Sequence, residues 1–322
     1  MDIDVKDRKI LHQLDINARQ STSQISKKIG LHKNSTNYRI KTLENKHVIN
    51  GYYTVIDSFK LGYEVLKFYL NFQYTTPSIE NEIIDYFKDS NYVWALYTVD
   101  GWFDLDVIFW IKNRYKFYNF WEKTLYRFGD YFQDQRLSFY IRLKSFRNSY
   151  LTQDLEEMTK RTESTITGDT SATNIETIDE EILKILAPNA RMGLTDIAQK
   201  LNKPRSLIKS RFNKLKDQDI IQGFRVNIDL AKLGYKLYKV DINLREYKKR
   251  NAIIEYAKHN HQLMAIDETV GLSHIELEYH LRNVDELHGI MHDIANTFPN
   301  SIRSYKYFSI KKLHKISYFP EI

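Results

Sequence analysis

One sequence unit occurs twice in this chain, and the second copy follows the first at a fixed offset of 172 residues. Asn17-Ala18-Arg19 recurs as Asn189-Ala190-Arg191, and Lys60-Leu61-Gly62-Tyr63 recurs as Lys232-Leu233-Gly234-Tyr235. The same offset, without a gap, carries Asp7 onto Asp179, Ile10-Leu11 onto Ile182-Leu183, Leu14 onto Leu186, Ile25 onto Ile197, Arg39 onto Arg211, Leu43 onto Leu215, Ile49 onto Ile221, Gly51 onto Gly223 and Asp57 onto Asp229. Chance matching would not keep one register over that length, so we expect two copies of one fold.

Each copy begins with the pattern of three short helices. In the first copy a helix over about 4–16 is predicted by apolar residues at helical spacing, namely Ile3, Ile10, Leu11 and Leu14. Ser21 or Thr22 can cap a second helix, which Gly30 ends. A third helix is expected over about 33–46, followed by a wing strand at 48–55. Three helices with a tight turn before the third are typical of a helix-turn-helix.

The remainder of each copy predicts a small α/β module. Its apolar pattern gives strands and helices in the order βαββαβ, which is a ferredoxin-like arrangement. Helices on one face of such a sheet leave the other face bare, so we expect the sister module to cover it. The fold class is therefore α+β, and the predicted domains are a winged helix-turn-helix at 1–55, an α/β module at 62–150, a flexible linker at 152–176, a second winged helix-turn-helix at 177–227 and a second α/β module at 234–322.

Positive charge is concentrated in the two helix-turn-helix segments. The chain has a net charge of +7, whereas residues 1–53 hold ten Lys/Arg against five Asp/Glu and residues 175–226 hold ten against seven. A modest positive total also fits an ordinary solvated surface. Confinement of the charge to two matching segments favours a polyanionic partner, and double-stranded DNA is the polyanion that a helix-turn-helix binds.

The third helix of each copy is the candidate reader of DNA. Polar and cationic side chains on its outward face can bond phosphate oxygens, and Asn, Ser and Arg can also bond base edges in the major groove. The candidates are Lys33, Asn34, Ser35, Thr36, Asn37, Arg39 and Lys41 in the first copy, and Lys203, Arg205, Ser206, Lys209, Ser210, Arg211 and Lys214 in the second. We expect Arg39 and Arg211, both in mid-helix, to contact DNA. Because the two helices differ at nearly every outward position, they should prefer different half-sites.

Several other classes of protein are disfavoured. Cysteine is absent, which excludes disulfides, thiolate metal sites and a cysteine nucleophile. The charged start predicts no secretory signal, and no stretch approaches the roughly 18 apolar residues of a membrane span. These features favour a cytoplasmic protein. No arrangement typical of a catalytic site is evident, and the pair His288 and His292 lacks a third metal ligand, so we expect no enzyme activity, no metal and no cofactor.

The combination resembles the Lrp/AsnC family of transcription regulators, and the resemblance covers nearly the whole chain twice. The motifs that carry it are Asp7-x-x-Ile10-Leu11, Asn17-Ala18-Arg19, Ile25-x-x-x-Ile29-Gly30, Arg39-Ile40-x-x-Leu43, Ile49-x-Gly51-Tyr52, Lys60-Leu61-Gly62 and Gly101-Trp102-Phe103-Asp104-Leu105. The resemblance implies that the α/β modules are RAM-type domains that self-associate, and that further assembly of chains can follow. Family members usually carry one copy per chain, so this fusion implies a pseudo-dimer.

The resemblance also implies a small effector, such as an amino acid, near the glycine loop of each α/β module. The corresponding residues are Asp100, Gly101, Trp102 and Asp104 in the first copy, and Gly271 and His274 in the second. A carboxylate that could meet an effector's ammonium group is thus expected at Asp104 and missing at His274. The four Trp residues, all in the first α/β module, fit either an aromatic ligand cage or ordinary packing.

One alternative is an enzyme. The sirohaem decarboxylases share this architecture, and their two homologous subunits pair in a way that a fusion could mimic. That branch relies on basic and histidine residues around a porphyrin, and the histidines to weigh here are His274, His280, His288 and His292. Basic reading helices favour the regulator, because a decarboxylase has no need of them. A second alternative is an effector-sensing module without strong DNA specificity.

Overall fold

A computed structural model describes residues 3–152, 163–168 and 172–320. Its helices are α1 (Val5–Ile16), α2 (Thr22–Ile29), α3 (Lys33–Asn45), α4 (Pro77–Asp89), α5 (Arg114–Phe128), α6 (Thr177–Leu186), α7 (Leu194–Lys200), α8 (Arg205–Asp217), α9 (Arg250–Ala257) and α10 (Val284–Thr297). Its strands are β1 (Ile49–Ile56), β2 (Glu64–Phe72), β3 (Val93–Gly101), β4 (Leu105–Ile111), β5 (Phe132–Phe146), β6 (Glu163–Thr167), β7 (Ile221–Ile228), β8 (Lys236–Leu244), β9 (Leu263–Val270), β10 (Ile275–Leu281) and β11 (Ile302–Ile316). The mixed α+β class and the element order of both copies are confirmed.

The capping residues explain where the first helices begin and end. The Asp4 side chain accepts a hydrogen bond from the backbone N–H of Asp7, and the Asp7 carboxylate accepts one from the backbone N–H of Asp4. α1 therefore starts with a capping box. Ser21 and Gln24 form the same box at α2. Gly30 ends α2 at φ 64°, a left-handed conformation that glycine adopts without steric cost. The short turn after it leads directly into α3.

The strand after each helix-turn-helix pairs with its counterpart in the other copy. β1 and β7 form a two-stranded antiparallel ribbon in which Tyr53 lies opposite Arg225. The expected wing strand is therefore present, but its partner lies in the sister unit. This pairing satisfies the backbone groups of two strands that would otherwise each present an open edge. It also joins the two helix-turn-helix units at their bases.

The two α/β modules share one closed ring of strands. Each contributes a four-stranded sheet, in the order β5-β2-β4-β3 for the first copy and β11-β8-β10-β9 for the second. β3 pairs with β11 and β9 pairs with β5, so both free edges of each sheet are used by the other. Strands β5 and β11 are each 15 residues long, and each spans from its own sheet into the neighbouring one. The second half of β11 builds the seam with β3.

The ring encloses a cluster of charged side chains. On β2, Leu66 and Phe68 face the helices, whereas the intervening Lys67 is fully buried and forms an ion pair with Glu276 of β10. Lys239 pairs with Asp267 and lies 3.1 Å from a carboxylate oxygen of Glu278. Alternation of side chains along a strand places these residues on the face opposite the helices. The face that sequence reasoning left bare is thus covered by the sister module, through polar contacts as well as apolar ones.

Protonation removes part of this buried negative charge. Burial raises the pKa of Asp106 to about 7 and that of Asp241 to about 8. Burial also acts on Glu276, but Lys67 and Lys239 hold its pKa down at about 2. Near neutral pH, Glu276 is therefore ionised beside the two lysines, while Asp241 keeps its proton.

Each helix-turn-helix packs on the other copy. The apolar core of the first one includes Val226, Leu233 and Tyr235 from the second copy. The core of the second one includes Leu61 and Tyr63 from the first copy. Each copy of the Lys-Leu-Gly-Tyr motif thus packs the opposite helix-turn-helix against the α/β ring.

The segment between the copies differs from the expected flexible linker. Residues 153–162 and 169–171 lie outside the described residues, but Glu163–Thr167 forms β6. β6 pairs antiparallel with β5, with Leu143 opposite Ile166. Alternate residues Ser164 and Ile166 are buried, so this short stretch behaves as an edge strand of the sheet. The ends of the predicted first and last domains, residues 1–2 and 321–322, also lie outside the described residues.

Candidate nucleic-acid interface

The outward face of α3 is polar and exposed. Most of the side chains predicted to read DNA lie on it: Lys33, Asn34, Ser35, Asn37 and Lys41. Tyr38 joins them with 73% of its surface exposed, a residue that sequence reasoning passed over because it reads as apolar. At the start of the helix, His32 Nδ1 accepts a hydrogen bond of 3.3 Å from the backbone N–H of Asn34. The face therefore offers two cations, several amide and hydroxyl groups, and one aromatic ring.

The equivalent face on α8 carries more positive charge. The exposed side chains at and before this helix are Lys203, Arg205, Ser206, Lys209, Ser210 and Lys214. Arg205 Nε donates a hydrogen bond of 3.0 Å to the hydroxyl of Thr195 on α7, which orients the guanidinium at the start of the helix. The two faces occupy equivalent positions in the repeat but present different side chains.

Three of the side chains predicted to read DNA, Thr36, Arg39 and Arg211, instead contact other parts of their own helix-turn-helix. Thr36 is fully buried, and its hydroxyl donates to the backbone carbonyl of His32. Arg39 donates hydrogen bonds of 2.8 Å to both Asp4 and Asp7, so its guanidinium ties α3 to the start of α1. Arg211, equally predicted to contact DNA, makes the corresponding contacts in the second copy.

Arg211 forms a less exposed version of the same clamp. Its guanidinium bonds Glu176 at 2.6 Å and pairs with Asp179 on α6, and 12% of the Arg211 side chain is exposed. The hydrogen bonds that Arg211 donates to Asp179 are the main cause that raises the pKa of Arg211 above its usual range. Burial would raise the pKa of Asp179, but Arg211 lowers it below its ordinary value. The clamp fixes the reading helix and is not part of the reading face.

A lysine from the opposite copy holds the far end of each reading helix. Lys232 Nζ donates a hydrogen bond of 2.6 Å to the carbonyl of Lys46, where α3 ends. Lys60 Nζ donates one of 2.8 Å to the carbonyl of Gln218, where α8 ends. A cation at this end also interacts favourably with the helix dipole. The orientation of each reading helix thus depends on the sister unit.

The glycine loops lie at the seams of the ring. A Cβ on Gly101 would come within 2.5 Å of the Phe308 Cβ on β11. At Gly271, which has φ +143°, a Cβ would lie 2.5 Å from the carbonyl oxygen of Leu137. Both glycines therefore allow close approach to the last strand of the other copy.

Asp104 and His274 of these loops each hold the end of a neighbouring strand. Asp104 accepts a hydrogen bond of 2.8 Å from the backbone N–H of Phe72, at the end of β2. His274 Nδ1 accepts the equivalent bond, also of 2.8 Å, from Leu244 at the end of β8. The Asp-to-His difference between the copies thus preserves one backbone contact. Asp104 is also exposed, so its contact with an effector's ammonium group stays a prediction.

The remaining loop residues differ in exposure. Asp100 is exposed at the seam, where its backbone pairs with Ser309. Trp102 packs edge-on against Tyr69, and Lys306 Nζ lies 4.3 Å from the centre of a Trp102 ring. The Trp102 indole therefore belongs to the packing of the seam.

The histidines do not converge on one site. His288 packs edge-on against Tyr307, and His292 bonds Asn296 on its own helix. His280 Nδ1 lies 2.8 Å from the hydroxyl of Tyr150, and burial lowers its pKa to about 3, so its ring is neutral. Within residues 3–152, 163–168 and 172–320, no three His, Asp or Glu side chains are grouped so as to hold a metal ion.

Comparisons with known proteins agree with this reading of the helices. The model of the AsnC-type helix-turn-helix domain matches residues 3–44, and that of a winged helix-turn-helix DNA-binding domain matches residues 175–222. An HTH-type transcriptional regulator of Pyrococcus furiosus is 35% identical over 97 residues, which are 30% of this chain and 65%, just under two thirds, of that protein. The HTH-type transcriptional regulator LrpA of Pyrococcus horikoshii is 31% identical over 111 residues, which are 34% of this chain and 77% of that one.

One solved structure matches the whole architecture. The siroheme decarboxylase NirDL superposes with a TM-score of 0.66 over 99% of this chain and 95% of its own, at 12% sequence identity. At that identity the likeness establishes the fold alone, including both helix-turn-helix units and both α/β modules in one chain. Among the described helices, none combines the length and apolarity needed to cross a membrane. The repeat, the two helix-turn-helix domains and the identity to LrpA show that this chain belongs to the Lrp/AsnC family.

Proposed function

We propose that this chain is a DNA-binding transcription regulator of the cytoplasm, which reads double-stranded DNA with α3 and α8. The observation that carries this proposal is the pair of exposed, cationic helix faces at equivalent positions of the repeat. The relatives named as transcriptional regulators support it. Cations and hydroxyl groups on such a face bond phosphates, and Asn, Ser and Arg can also bond base edges.

The two reading helices act as one rigid pair. Each is clamped to its own first helix by Arg39 or Arg211 and held at its far end by a lysine of the sister unit. The ribbon of β1 and β7 ties the two units together at the base. A fixed separation between two readers favours two half-sites at one fixed spacing. Because the outward residues differ, those half-sites are unlike in sequence, and the operator is asymmetric.

The two α/β modules pair with each other within the chain and so close the ring. We further propose that whole chains assemble with one another. We also propose that a small effector, such as an amino acid, modulates DNA binding. The exposed Asp100 and the loops around Gly101 and Gly271 remain candidates for its contacts, beside the structural Trp102, Asp104 and His274.

The proposal is tested by selecting bound sequences from a random DNA pool, with the mass of the complex measured in parallel. We expect one asymmetric sequence to be enriched, with affinity that falls steeply with salt because phosphate contacts release counterions. Lys209→Ala should weaken binding and reduce the salt slope by about 1, whereas Lys123→Ala on the outer face of α5 should change neither. A flat salt response, or equal behaviour of the two variants, would contradict the docking.

The same protein sample can distinguish a regulator from the alternative, a sirohaem decarboxylase. Incubation with sirohaem followed by absorption spectroscopy should leave the Soret band of the pigment unshifted. A shifted band together with a decarboxylated product would overturn the assignment as a regulator only.

A further inference from the structure

A cavity of about 330 Å³ lies between the β1–β7 ribbon and the end of the strand ring. One wall is the ribbon, from Tyr53 to Ile56 and from Arg225 to Ile228. The opposite wall comes from both α/β modules, since Trp94 and Trp110 belong to the first and Met264 and His280 to the second. The cavity therefore lies where all four domains of the chain meet, away from the glycine loops and from the outward faces of α3 and α8.

Aromatic and aliphatic side chains form most of its lining. Trp94 and Trp110 stack with ring centres 5.3 Å apart and planes 8° from parallel. Tyr53 and Tyr318 stack at 4.9 Å. Met264 adds a flexible apolar side chain. Flat rings and a methionine suit a planar apolar body, and the volume is at the small end of the range for ligand pockets, roughly 300 to 1,000 Å³.

One cation in the cavity wall has an unused donor. Arg225 is buried, and its Nε and Nη2 donate to the two carboxylate oxygens of Asp15 at 2.7 and 3.0 Å. Nη2 also donates to the carbonyl of Phe146. Its third nitrogen, Nη1, has no hydrogen-bond partner in the part of the chain that the structure describes. Because Arg225 lines the cavity, this N–H is available to an acceptor that enters it.

The electrostatic surroundings favour an anionic acceptor. Burial and the neighbouring positive charge of Arg225 lower the pKa of Arg147 to about 10, and the Asp15 carboxylate offsets only part of this effect. His280 is neutral because of its lowered pKa. Glu278, at the ring end of the cavity, accepts a hydrogen bond from Lys239. The ribbon end of the cavity thus carries the positive charge.

We propose that this cavity binds a small aromatic monocarboxylate, with its ring against Trp94 and Trp110 and its carboxylate on Arg225 Nη1. One charge is appropriate because Arg225 is the one Lys or Arg in the described lining, whereas the unpartnered Trp110 Nε1 is a neutral donor. The ribbon strands that wall the cavity directly follow α3 and α8 in the chain. Occupancy therefore changes the packing under both reading helices. This regulatory part rests on the proposed DNA binding, whereas ligand binding itself does not.

The test is isothermal titration of the full chain, without DNA, with 1-naphthylacetate and with its uncharged amide. We expect the acid to bind at least tenfold more tightly than the amide, because it alone makes a charge-assisted hydrogen bond. Arg225→Lys keeps a cation beside Asp15 but removes the forked donor, and should weaken binding of the acid about tenfold while leaving the amide unchanged. Met264→Trp narrows the cavity and should weaken binding of both.

Circular dichroism confirms that each variant is folded, and if Arg225→Lys does not fold, the acid-to-amide ratio and Met264→Trp still decide. No binding of the acid, equal binding of acid and amide, or unchanged binding by Met264→Trp would overturn the site. The regulatory part is measured by DNA affinity with and without saturating acid. An unchanged DNA affinity refutes that part alone, and a chain that binds no DNA refutes the proposed function instead.

Discussion

Asp241→Asn should stabilise this protein, and the gain should grow with pH. Asp241 is enclosed by the ring, where burial raises its pKa from 3.8 to about 8. Neither of its carboxylate oxygens has a hydrogen-bond partner in the described part of the chain. Asparagine has nearly the same shape and no charge to bury.

The sign follows from proton binding. Between about pH 4 and pH 8 the folded chain keeps the proton of Asp241 while the unfolded chain releases it, so the free energy of unfolding falls as pH rises. Each pH unit over that range is worth about 1.4 kcal/mol, which gives an upper limit on the order of 5 kcal/mol above pH 8. Asp241→Asn removes this loss of stability. The free energies of unfolding of variant and parent should therefore be similar near pH 4 and differ increasingly towards pH 9.

Urea unfolding at a series of pH values measures this directly. Asp134→Asn is the matched control, because Asp134 lies on β5 of the same ring with 42% of its side chain exposed, paired with Arg136 at 2.7 Å. Its effect should stay within about 0.5 kcal/mol and show no trend of this kind. A gain for Asp241→Asn that is equal at pH 5 and pH 9, or a loss of stability at pH 9, would refute the account of the buried charge.

Two further substitutions test the seams and the clamp. Gly271→Ala should cost about 2 kcal/mol or more, since the added Cβ meets the Leu137 carbonyl at 2.5 Å in a backbone conformation that alanine rarely adopts, whereas Gly289→Ala, with open space in α10, should gain about 0.5 to 1 kcal/mol in thermal unfolding. Arg211→Gln should lower the free energy of unfolding by about 1.5 to 3 kcal/mol, since it breaks charged hydrogen bonds to Asp179. The slope of DNA affinity against salt concentration should not change. A smaller salt slope at unchanged stability would show that Arg211 contacts DNA.

Sequence reasoning predicted the local structure well because helices and strands follow near-neighbour patterns. The repeat, the capping of α2 by Ser21 and its end at Gly30 are all read from adjacent residues. The clamp at Arg39 was missed, although its signal was present. Asp7 and Arg39 are both retained in the second copy, and two opposite charges kept together in a repeat indicate an ion pair as readily as a binding face.

The contacts between copies could not be read in this way. Lys67 and Glu276 are 209 positions apart, and a strand's own pattern does not show which distant strand it will meet. A lysine in an apolar strand such as β2 reads as an edge or surface residue, because charged side chains are almost never buried alone. The unused donor on Arg225 likewise cannot be predicted from the sequence, because it depends on the hydrogen bonds to Asp15 and Phe146 in the folded chain.

The closed ring has a kinetic consequence. Its seams join β3 to β11 and β5 to β9, so the last strand of the chain must find a strand formed about two hundred residues earlier. Closing so long a loop costs conformational entropy before any seam contact repays it. Each four-stranded module can form from nearer neighbours, whereas the seams, the ion pairs inside them and the seating of both reading helices have to wait. We therefore expect refolding in two phases, with the ability to bind DNA recovered only in the slower one.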